Sequence, residues 1–137
     1  MENDKLFQFV NRCAYGVISY LGDDNSPRSA VVGIAVTSDL EIVFDTVESS
    51  RKVPAIDRDG RVSLACWEGV TTVQYEGLAR RISSTVLGEY HRAYFAKFTD
   101  GPARLKWPGI TYYAVAPKWI RYTGYNQSPP ETIELRF

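Results

Sequence analysis

Residues 43–52 read Val-Phe-Asp-Thr-Val-Glu-Ser-Ser-Arg-Lys, and the rest of the chain is interpreted outward from this stretch. An apolar strand ends at Phe44, and a polar link then leads to two hydroxyls and two adjacent cations at 49–52. Hydroxyls and free backbone N–H groups donate hydrogen bonds to an anion, and a helix start adds positive potential. The forked guanidinium of Arg51 suits a phosphate group. The pattern indicates a phosphate-binding turn between strand and helix, and a solvated helix cap is the alternative.

The composition predicts a globular protein without a dominant surface charge. The chain has 137 residues, 45% of them hydrophobic, and its 16 basic side chains balance 16 acidic ones. This length suits one domain, residues 1–137, with a core of its own. A net charge of zero argues against general binding to nucleic acid or to a membrane surface. Any anion site must therefore be local.

The start of the chain and its cysteines predict a cytoplasmic protein. The acidic opening Met1-Glu-Asn-Asp lacks the apolar run of a signal peptide, and the longest apolar stretch, 30–36, is too short to span a membrane. Cys13 and Cys66 are too few for a metal cluster or a disulfide framework. We expect both to be small core residues in a reducing compartment.

Hydrophobic periodicity predicts a mainly β chain. Strands are predicted at 15–21, 29–37, 40–46, 61–67, 71–82, 111–116 and 118–122, with Leu40, Ile42 and Phe44 on one face and Gly77 at a bulge. Helices are predicted at 3–13, in a short segment ending near 58, and at 84–97, where Ser83 or Ser84 caps the start and Leu87 joins the apolar stripe. The tail, 126–137, is expected to extend over the surface or over a partner. The pattern favours a small, strongly bent antiparallel β-barrel with helices at its ends.

Three motifs occur in a fixed order. Arg28 leads an apolar strand to Gly33, the turn at 44–52 follows, and a strand pair then ends at Arg80 with a glycine, small residues and a base. This order resembles the pyridoxamine 5′-phosphate oxidase-like family, the FMN-binding split barrels, over about residues 5–123. Within that family the short chain looks more like the general-stress and flavin-reductase-like branch.

The resemblance implies a homodimer with FMN between its two subunits. Arg51 and Lys52 would bind the phosphate, the strand that starts at Arg28 would line the ribityl chain and the isoalloxazine ring, and Thr72 of the second subunit would close the phosphate site. The implied cofactor residues are Arg28, Ser29, Ala30, Val31, Val32, Gly33, Asp45, Thr46, Ser50, Arg51, Lys52 and Thr72. FAD and a deazaflavin are the alternative cofactors.

Several positions depart from the oxidase itself. It commonly has a lysine where Gly33 stands, an aromatic residue where Asp45 stands and a glutamine where Thr72 stands. Losing the cation and gaining a carboxylate would disfavour the anionic reduced flavin and lower its potential, unless a neighbour compensates. The tail, 126–137, does not match the segment with which the oxidase binds its pyridoxal substrate. Oxidation of pyridoxamine phosphate is therefore not expected.

No catalytic residue and no metal ligand is assigned, because a flavin carries out hydride or electron transfer itself. His91, the only histidine, is expected at an exposed position of its helix, and Trp107 is the tryptophan most expected to touch a ligand. Three functions remain open. They are a flavin-dependent oxidoreductase acting on an unknown small molecule, a flavin-binding or sensing module without turnover, and a barrel without flavin that serves as a structural or heme-related binder.

Overall fold

A computed structural model gives the structure of the protein and describes residues 2–82 and 88–137. The described residues form four helices: α1 (Glu2–Arg12), α2 (Lys52–Arg58), α3 (Gly88–Lys97) and α4 (Gly101–Arg104). They also form eight strands: β1 (Tyr15–Leu21), β2 (Pro27–Gly33), β3 (Ala35–Val36), β4 (Ile42–Val47), β5 (Arg61–Glu68), β6 (Thr71–Ile82), β7 (Ile110–Gly124) and β8 (Glu131–Arg136).

The strands form one curled antiparallel sheet. Hydrogen-bonded neighbours follow the order β2-β1-β5-β6-β7-β4-β3, and β8 also pairs with β7. The first and last strands of this order, β2 and β3, are consecutive in the chain and are separated only by Ile34. The sheet is therefore a half-barrel. The prediction of a mainly β, split antiparallel barrel is confirmed.

The two strands predicted on either side of Pro117 are in fact one strand, β7. Its partner β6 shifts register between Glu76 and Gly77, and Gly77 lies opposite Pro117. Proline has no N–H to donate to a ladder, and β7 carries an extra residue here, because Lys118, directly after Pro117, has no partner in β6. A Cβ atom on Gly77 would lie 2.3 Å from the carbonyl oxygen of Ala116, so only glycine permits this approach. The irregularity predicted at Gly77 is present, but the strand that bulges is β7 and not β6.

The segment predicted as one strand, 29–37, is divided. Ile34 separates β2 from β3, and its N–H bonds to the carbonyl oxygen of Ala14 at 3.1 Å instead of to a neighbouring strand. The tail forms β8, which extends antiparallel along β7. The predicted cap at Ser83 or Ser84 and the packing of Leu87 lie outside the described residues.

Strand β4 is buried on both faces, and this fixes the position of the turn that follows it. Ile42 and Phe44 point into the barrel, where Leu40 and the apolar face of α1 also pack. Val43 faces the other way, into a second cluster formed with the aromatic side chains of α3. The predicted shared face of Leu40, Ile42 and Phe44 is confirmed. Since β4 is packed from both sides, its end at residues 45–47 has a fixed direction.

Candidate functional site

The turn between β4 and α2 carries two cations that have no acidic partner among the described residues. Arg51 is exposed and Lys52 is partly buried, and no ion pair of the described residues includes either of them. Burial lowers the pKa of Lys52, because removing water disfavours its charged form. Two adjacent positive charges without a counter-charge are suited to binding an anion.

The backbone of this turn is largely satisfied internally. Four N–H groups, those of Glu48, Ser50, Lys52 and Val53, donate to other atoms of the turn or of the loop before β7. The predicted donation of free backbone N–H groups to an anion is therefore limited at these positions. Helix α2 has only seven residues, so its dipole is small as well. Side chains, chiefly Arg51, Lys52 and the Ser50 hydroxyl, would provide the contacts.

Arg81 of β6 fixes both ends of the turn. Its guanidinium pairs with Glu48 before the two cations and with Asp57 after them, where Nη2 lies 2.6 Å from Oδ2. Tyr113 donates a 2.8 Å hydrogen bond to the other oxygen of Asp57. The hydrogen bonds that Arg81 donates to Asp57 and Glu48 raise its pKa. Arg81 was not predicted from the sequence, although it directly follows the base that ends the third motif.

Asp45 faces the helical cap formed by α3 and α4. Tyr94 donates a 2.8 Å hydrogen bond to Oδ1, and Nη2 of Arg104 lies 3.5 Å from Oδ2. The side chain of Asp45 is only 11% exposed. Arg104 therefore offsets the negative charge of Asp45. The cation lost at Gly33 is a separate departure, and the lowering of the flavin potential stays a prediction.

Burial and the Asp45 carboxylate perturb the tyrosines around it. Burial raises the pKa of Tyr94, and the charge of Asp45 raises it further. The same two causes raise the pKa of Tyr112 to about 12. The hydroxyl of Tyr112 is buried with no hydrogen-bond partner in the described structure, as are Oδ2 of Asp45 and two nitrogens of Arg104. Both tyrosines remain neutral at ordinary pH.

His91 is not at an exposed position, and that prediction is wrong. Its ring stacks on Phe95 at 4.9 Å between centroids and meets the ring of Tyr112 edge-on at 4.7 Å. Burial lowers the pKa of His91, because the imidazolium would lose its hydration. A second face of α3, which carries His91, is therefore also packed within the cap. The single apolar stripe in the sequence did not predict this packing.

Strand β2 presents the predicted flavin-lining segment in two directions. Ser29 and Val31 are exposed on the outer face of the sheet, whereas Ala30 and Val32 point toward the barrel core. Arg28 lies near the turn that precedes β2, with Nη2 3.4 Å from Oδ1 of Asp23. A ligand on the outer face would meet Ser29, Val31 and the backbone.

Thr72 lies at the other end of β6 from Arg81, the residue that pairs with the turn. Thr72 pairs with Trp67 close to the link between β5 and β6, and Arg81 follows nine residues later in the same strand. Nine residues of strand extend over at most about 30 Å. Thr46 lies next to Asp45 and pairs with Thr111 of β7. The structure thus brings Ser50, Arg51 and Lys52 together in one turn, with Thr72 at the opposite end of β6.

The outer face of β2, β1, β5 and β6 is an uncovered, largely apolar surface. Its exposed side chains include Tyr15, Val31, Trp67 and Leu78. A cavity of about 570 Å³ opens on it, and its lining includes Ser19, Leu21, Pro27, Ser63, Glu76 and Leu78. Exposed apolar surface of this kind is typical of an interaction site. Trp107, in the loop before β7, is also exposed.

The described residues contain no group of three or more His, Cys, Asp or Glu side chains placed to hold a metal ion. In the same part of the chain, every helix is too short or too polar to cross a bilayer.

The family model described as Pyridoxamine 5′-phosphate oxidase matches residues 3–124. The chain belongs to this family. The match begins in α1 and ends with β7, so it contains every element that positions the turn and its cations. A comparison with curated proteins finds no match.

Solved structures share the fold of this pyridoxamine 5′-phosphate oxidase family member. A heme binding protein from Mycobacterium smegmatis has a TM-score of 0.83 and 12% identity, with 99% of this chain and 58% of that chain covered. General Stress Protein 26 from Bacillus anthracis has a TM-score of 0.72 and 20% identity, with 98% and 100% covered. A protein related to general stress protein 26 from Clostridium acetobutylicum has a TM-score of 0.73 and 12% identity, with 98% and 94% covered.

Gly33 shows how this chain departs from the oxidase pattern of the family. A Cβ atom on Gly33 would lie 3.0 Å from the ring of Phe98 and 3.3 Å from the hydroxyl of Tyr94. The helical cap therefore occupies the space that a lysine at this position would need. A Cβ atom on Gly33 would meet the hydroxyl of Tyr94, and Asp45 accepts a hydrogen bond from the same hydroxyl. These two positions, which differ from the oxidase pattern, therefore adjoin the same side chain.

Proposed function

We propose that this protein is a flavin-dependent oxidoreductase that binds FMN, acts on a small molecule and works in the cytoplasm, with residues 1–137 as one FMN-binding domain. The pair of cations at Arg51 and Lys52 carries the proposal, because no acidic partner neutralises them in the described structure. They occupy the turn that matches the phosphate motif of the family. A dianionic phosphate is the ligand that two cations and a hydroxyl suit best.

The residues of the chain would bind and orient the cofactor. Arg51 and Lys52 would neutralise the phosphate, and the hydroxyl of Ser50 would donate to it. Arg81 would hold the turn in place from β6 through its contacts with Glu48 and Asp57. FMN, when bound, supplies the hydride or electron transfer, and the protein supplies position and electrostatics.

The uncovered sheet face supports a homodimer with two equivalent cofactor sites. Ser29, Val31 and Thr72 share the outer face of the sheet, and pairing would cover the exposed Val31 and Leu78 there. A twofold partner would bring its own Thr72 near the turn, as the family resemblance implies. Light scattering at micromolar concentration tests the dimer, and a monomer mass would overturn it.

The flavin proposal is tested by absorption. The purified protein is mixed with FMN, desalted and measured, and a retained flavin band is expected. Loss of the whole band would overturn FMN binding. Parallel titrations with FAD and with a deazaflavin rank the alternative cofactors.

Turnover is tested separately on the loaded protein. A reduced nicotinamide is added without oxygen, and bleaching of the bound flavin followed by recovery with an electron acceptor is expected of an oxidoreductase. A flavin that stays oxidised with every reductant tried would leave a flavin-binding module without turnover.

Heme binding is not proposed for this chain. The Mycobacterium smegmatis structure is titled a heme binding protein, but its 12% identity carries the fold alone. The only histidine, His91, has a buried Nε2 and stacks on Phe95 within the cap. Its Nε2 is therefore not accessible for axial ligation.

A further inference from the structure

Cys13 and Cys66 are distant in sequence but adjacent in the fold. Cys13 lies in the link between α1 and β1, and Cys66 lies on β5, which pairs with β1 through Val17 and Ala65. Both side chains are buried and belong to the same hydrophobic cluster. The Sγ atom of Cys13 also lies 3.8 Å from the carbonyl oxygen of Trp67, the residue after Cys66.

We propose that Cys13 and Cys66 form a redox-active dithiol that a small peroxide oxidises to an intramolecular disulfide and that a small thiol reduces again. This role is independent of flavin binding. The Cys13 sulfur already contacts the backbone of the strand that carries Cys66, and both thiols lie in the same buried cluster, so a bond between them requires only local movement. Neither residue belongs to the turn or to the outer sheet face described above.

The charges around the pair give its members different roles. Lys97, at the end of α3, contacts the carbonyl oxygens of Cys13 and Val10 with its ammonium group. Interaction with the Cys66 thiol lowers the pKa of Cys13 most, burial opposes it, and the charge of Lys97 lowers the pKa further; Glu68 and Arg12 have smaller, opposite effects. A cation beside a thiol favours the thiolate, which is the nucleophile.

Cys66 has the opposite environment. Its interaction with the Cys13 thiol and its burial both raise its pKa. A thiol that keeps its proton does not attack peroxide, but it can resolve an oxidised neighbour. Cys13 is therefore the attacking residue and Cys66 is the resolving residue.

A cavity gives an oxidant access to Cys13. It has a volume of about 240 Å³ and is lined by Arg12, Cys13, Ala14, Tyr15, Trp67 and Glu68. A water molecule takes about 30 Å³ in the liquid, so hydrogen peroxide fits easily. Cys66 is not among the lining residues, which agrees with attack at Cys13.

The reaction balances in two steps. The Cys13 thiolate attacks one oxygen of hydrogen peroxide, the O–O bond breaks, and the leaving hydroxide takes a proton to become water. Cys13 is then a sulfenic acid. Cys66 loses its proton and attacks the Cys13 sulfur, the S–S bond forms, and the S–O bond breaks to release a second water. Two thiols are oxidised by two electrons in all, and the peroxide is reduced.

The test uses the full chain with hydrogen peroxide as the oxidant. After treatment the protein is denatured, alkylated and weighed intact. We expect wild type to lose two hydrogen atoms and both alkylation sites, and to regain them after incubation with dithiothreitol. Cys66→Ser should stop at a sulfenic acid that dimedone traps, and Cys13→Ser should react many-fold more slowly. Two alkylated thiols in treated wild type, or disulfide-linked dimers alone, would overturn the proposal.

A second measurement tests the role of Lys97. In a Cys66→Ser background, Lys97→Met should raise the pH at which Cys13 reacts at half its maximal rate, and Lys97→Arg should restore the original profile. Lys106→Met, at an exposed lysine, is the matched control. Identical profiles for the Lys97→Met and Lys106→Met variants would reject the contribution of Lys97. Circular dichroism checks the fold of each variant. The mass of the peroxide-treated and alkylated wild type decides the dithiol proposal, whatever the Lys97 variants show.

Discussion

The hydroxyl of Tyr94 on α3 donates a 2.8 Å hydrogen bond to Oδ1 of Asp45 at the end of β4. This bond joins the helical cap to the strand that leads into the turn before α2. Arg104 of α4 approaches the other oxygen of the same carboxylate. A change in the packing of the cap would therefore reach the turn through Asp45.

Tyr94→Phe should destabilise the protein, because it removes a buried hydrogen bond to a charged group. Such bonds contribute about 1.5–3 kcal/mol to the free energy of unfolding. Tyr112→Phe is the matched control, since its buried hydroxyl has no partner in the described structure and its removal should be neutral or stabilising. Urea unfolding of both variants checks this. Equal losses of stability would mean that the Asp45 bond contributes nothing specific.

Replacing Arg51 and Lys52 together with alanine should weaken FMN binding strongly. Each charged hydrogen bond to the phosphate contributes about 1.5–3 kcal/mol, and the exposure of Arg51 places its share at the lower end. Fluorescence titration measures the dissociation constant. Alanine at Arg92 and Lys106, two exposed cations outside the turn, should leave it unchanged. Unchanged FMN affinity in the Arg51 and Lys52 variant would mean that these residues form only a solvated helix cap.

Arg81→Met should lower FMN affinity more than it lowers stability. The partly exposed ion pairs of Arg81 contribute only about 0.2–1 kcal/mol each to folding, but they orient the turn. The measurement is FMN affinity beside urea stability in the same buffer. Arg136→Met, which breaks an exposed pair with Glu134, should change neither FMN affinity nor fold. If Arg81→Met binds FMN normally, Arg81 does not position the turn.

Acidification should destabilise the protein through His91. Burial lowers the pKa of the folded His91 below its ordinary value of 6.5. Between the two pKa values the unfolded chain binds more protons than the folded one, so the free energy of unfolding falls as pH falls. This contribution is fully present above pH 6.5 and is lost as pH drops through the folded pKa.

The comparison variant is His91→Phe, which keeps an aromatic ring between Phe95 and Tyr112. Thermal unfolding is followed well above and well below pH 6.5. Wild type should lose more stability on acidification than this variant. Parallel losses in the two proteins would show that His91 titrates normally.

Gly77→Ala should destabilise the barrel where β7 bulges against β6. The added Cβ would meet the Ala116 carbonyl oxygen at 2.3 Å, which the backbone can relieve only by shifting the bulge. Overpacking of this kind costs about 1–3 kcal/mol or more. Gly88→Ala is the control, because its Cβ would meet only the end of Arg92, at 3.8 Å. Similar stability of both variants in urea would contradict the tight approach at Gly77.

The barrel and the strand-to-helix turn after β4 were predictable because their signals are local. Alternating apolar residues gave most of the strands, and a glycine in a long strand indicated where the register shifts. Pro117 misled the prediction, since β7 continues past it with one extra residue, Lys118, and this bulge depends on pairing with a strand that lies far earlier in the sequence.

The surroundings of Asp45 were not predictable from its own stretch. Its partners Tyr94 and Arg104 follow about fifty residues later and reach it only when the cap folds over β4. A helical stripe shows that α3 has an apolar face, but not which strand receives it. The same limit explains His91, whose burial depends on Tyr112 of β7.

Strand β7 pairs with three neighbouring strands. It pairs with β6 along its length, with β4 through its first half and with β8 through its second half. A substitution in β7 changes one contact, but an inserted or deleted residue shifts the pairing of everything beyond it. Because a slip of one residue exchanges the two faces of a strand, it would turn Tyr113 away from Asp57 or Tyr112 away from the cap. Length variation among natural relatives should therefore be found in the hairpins and in the tail, while β7 itself keeps a constant number of residues.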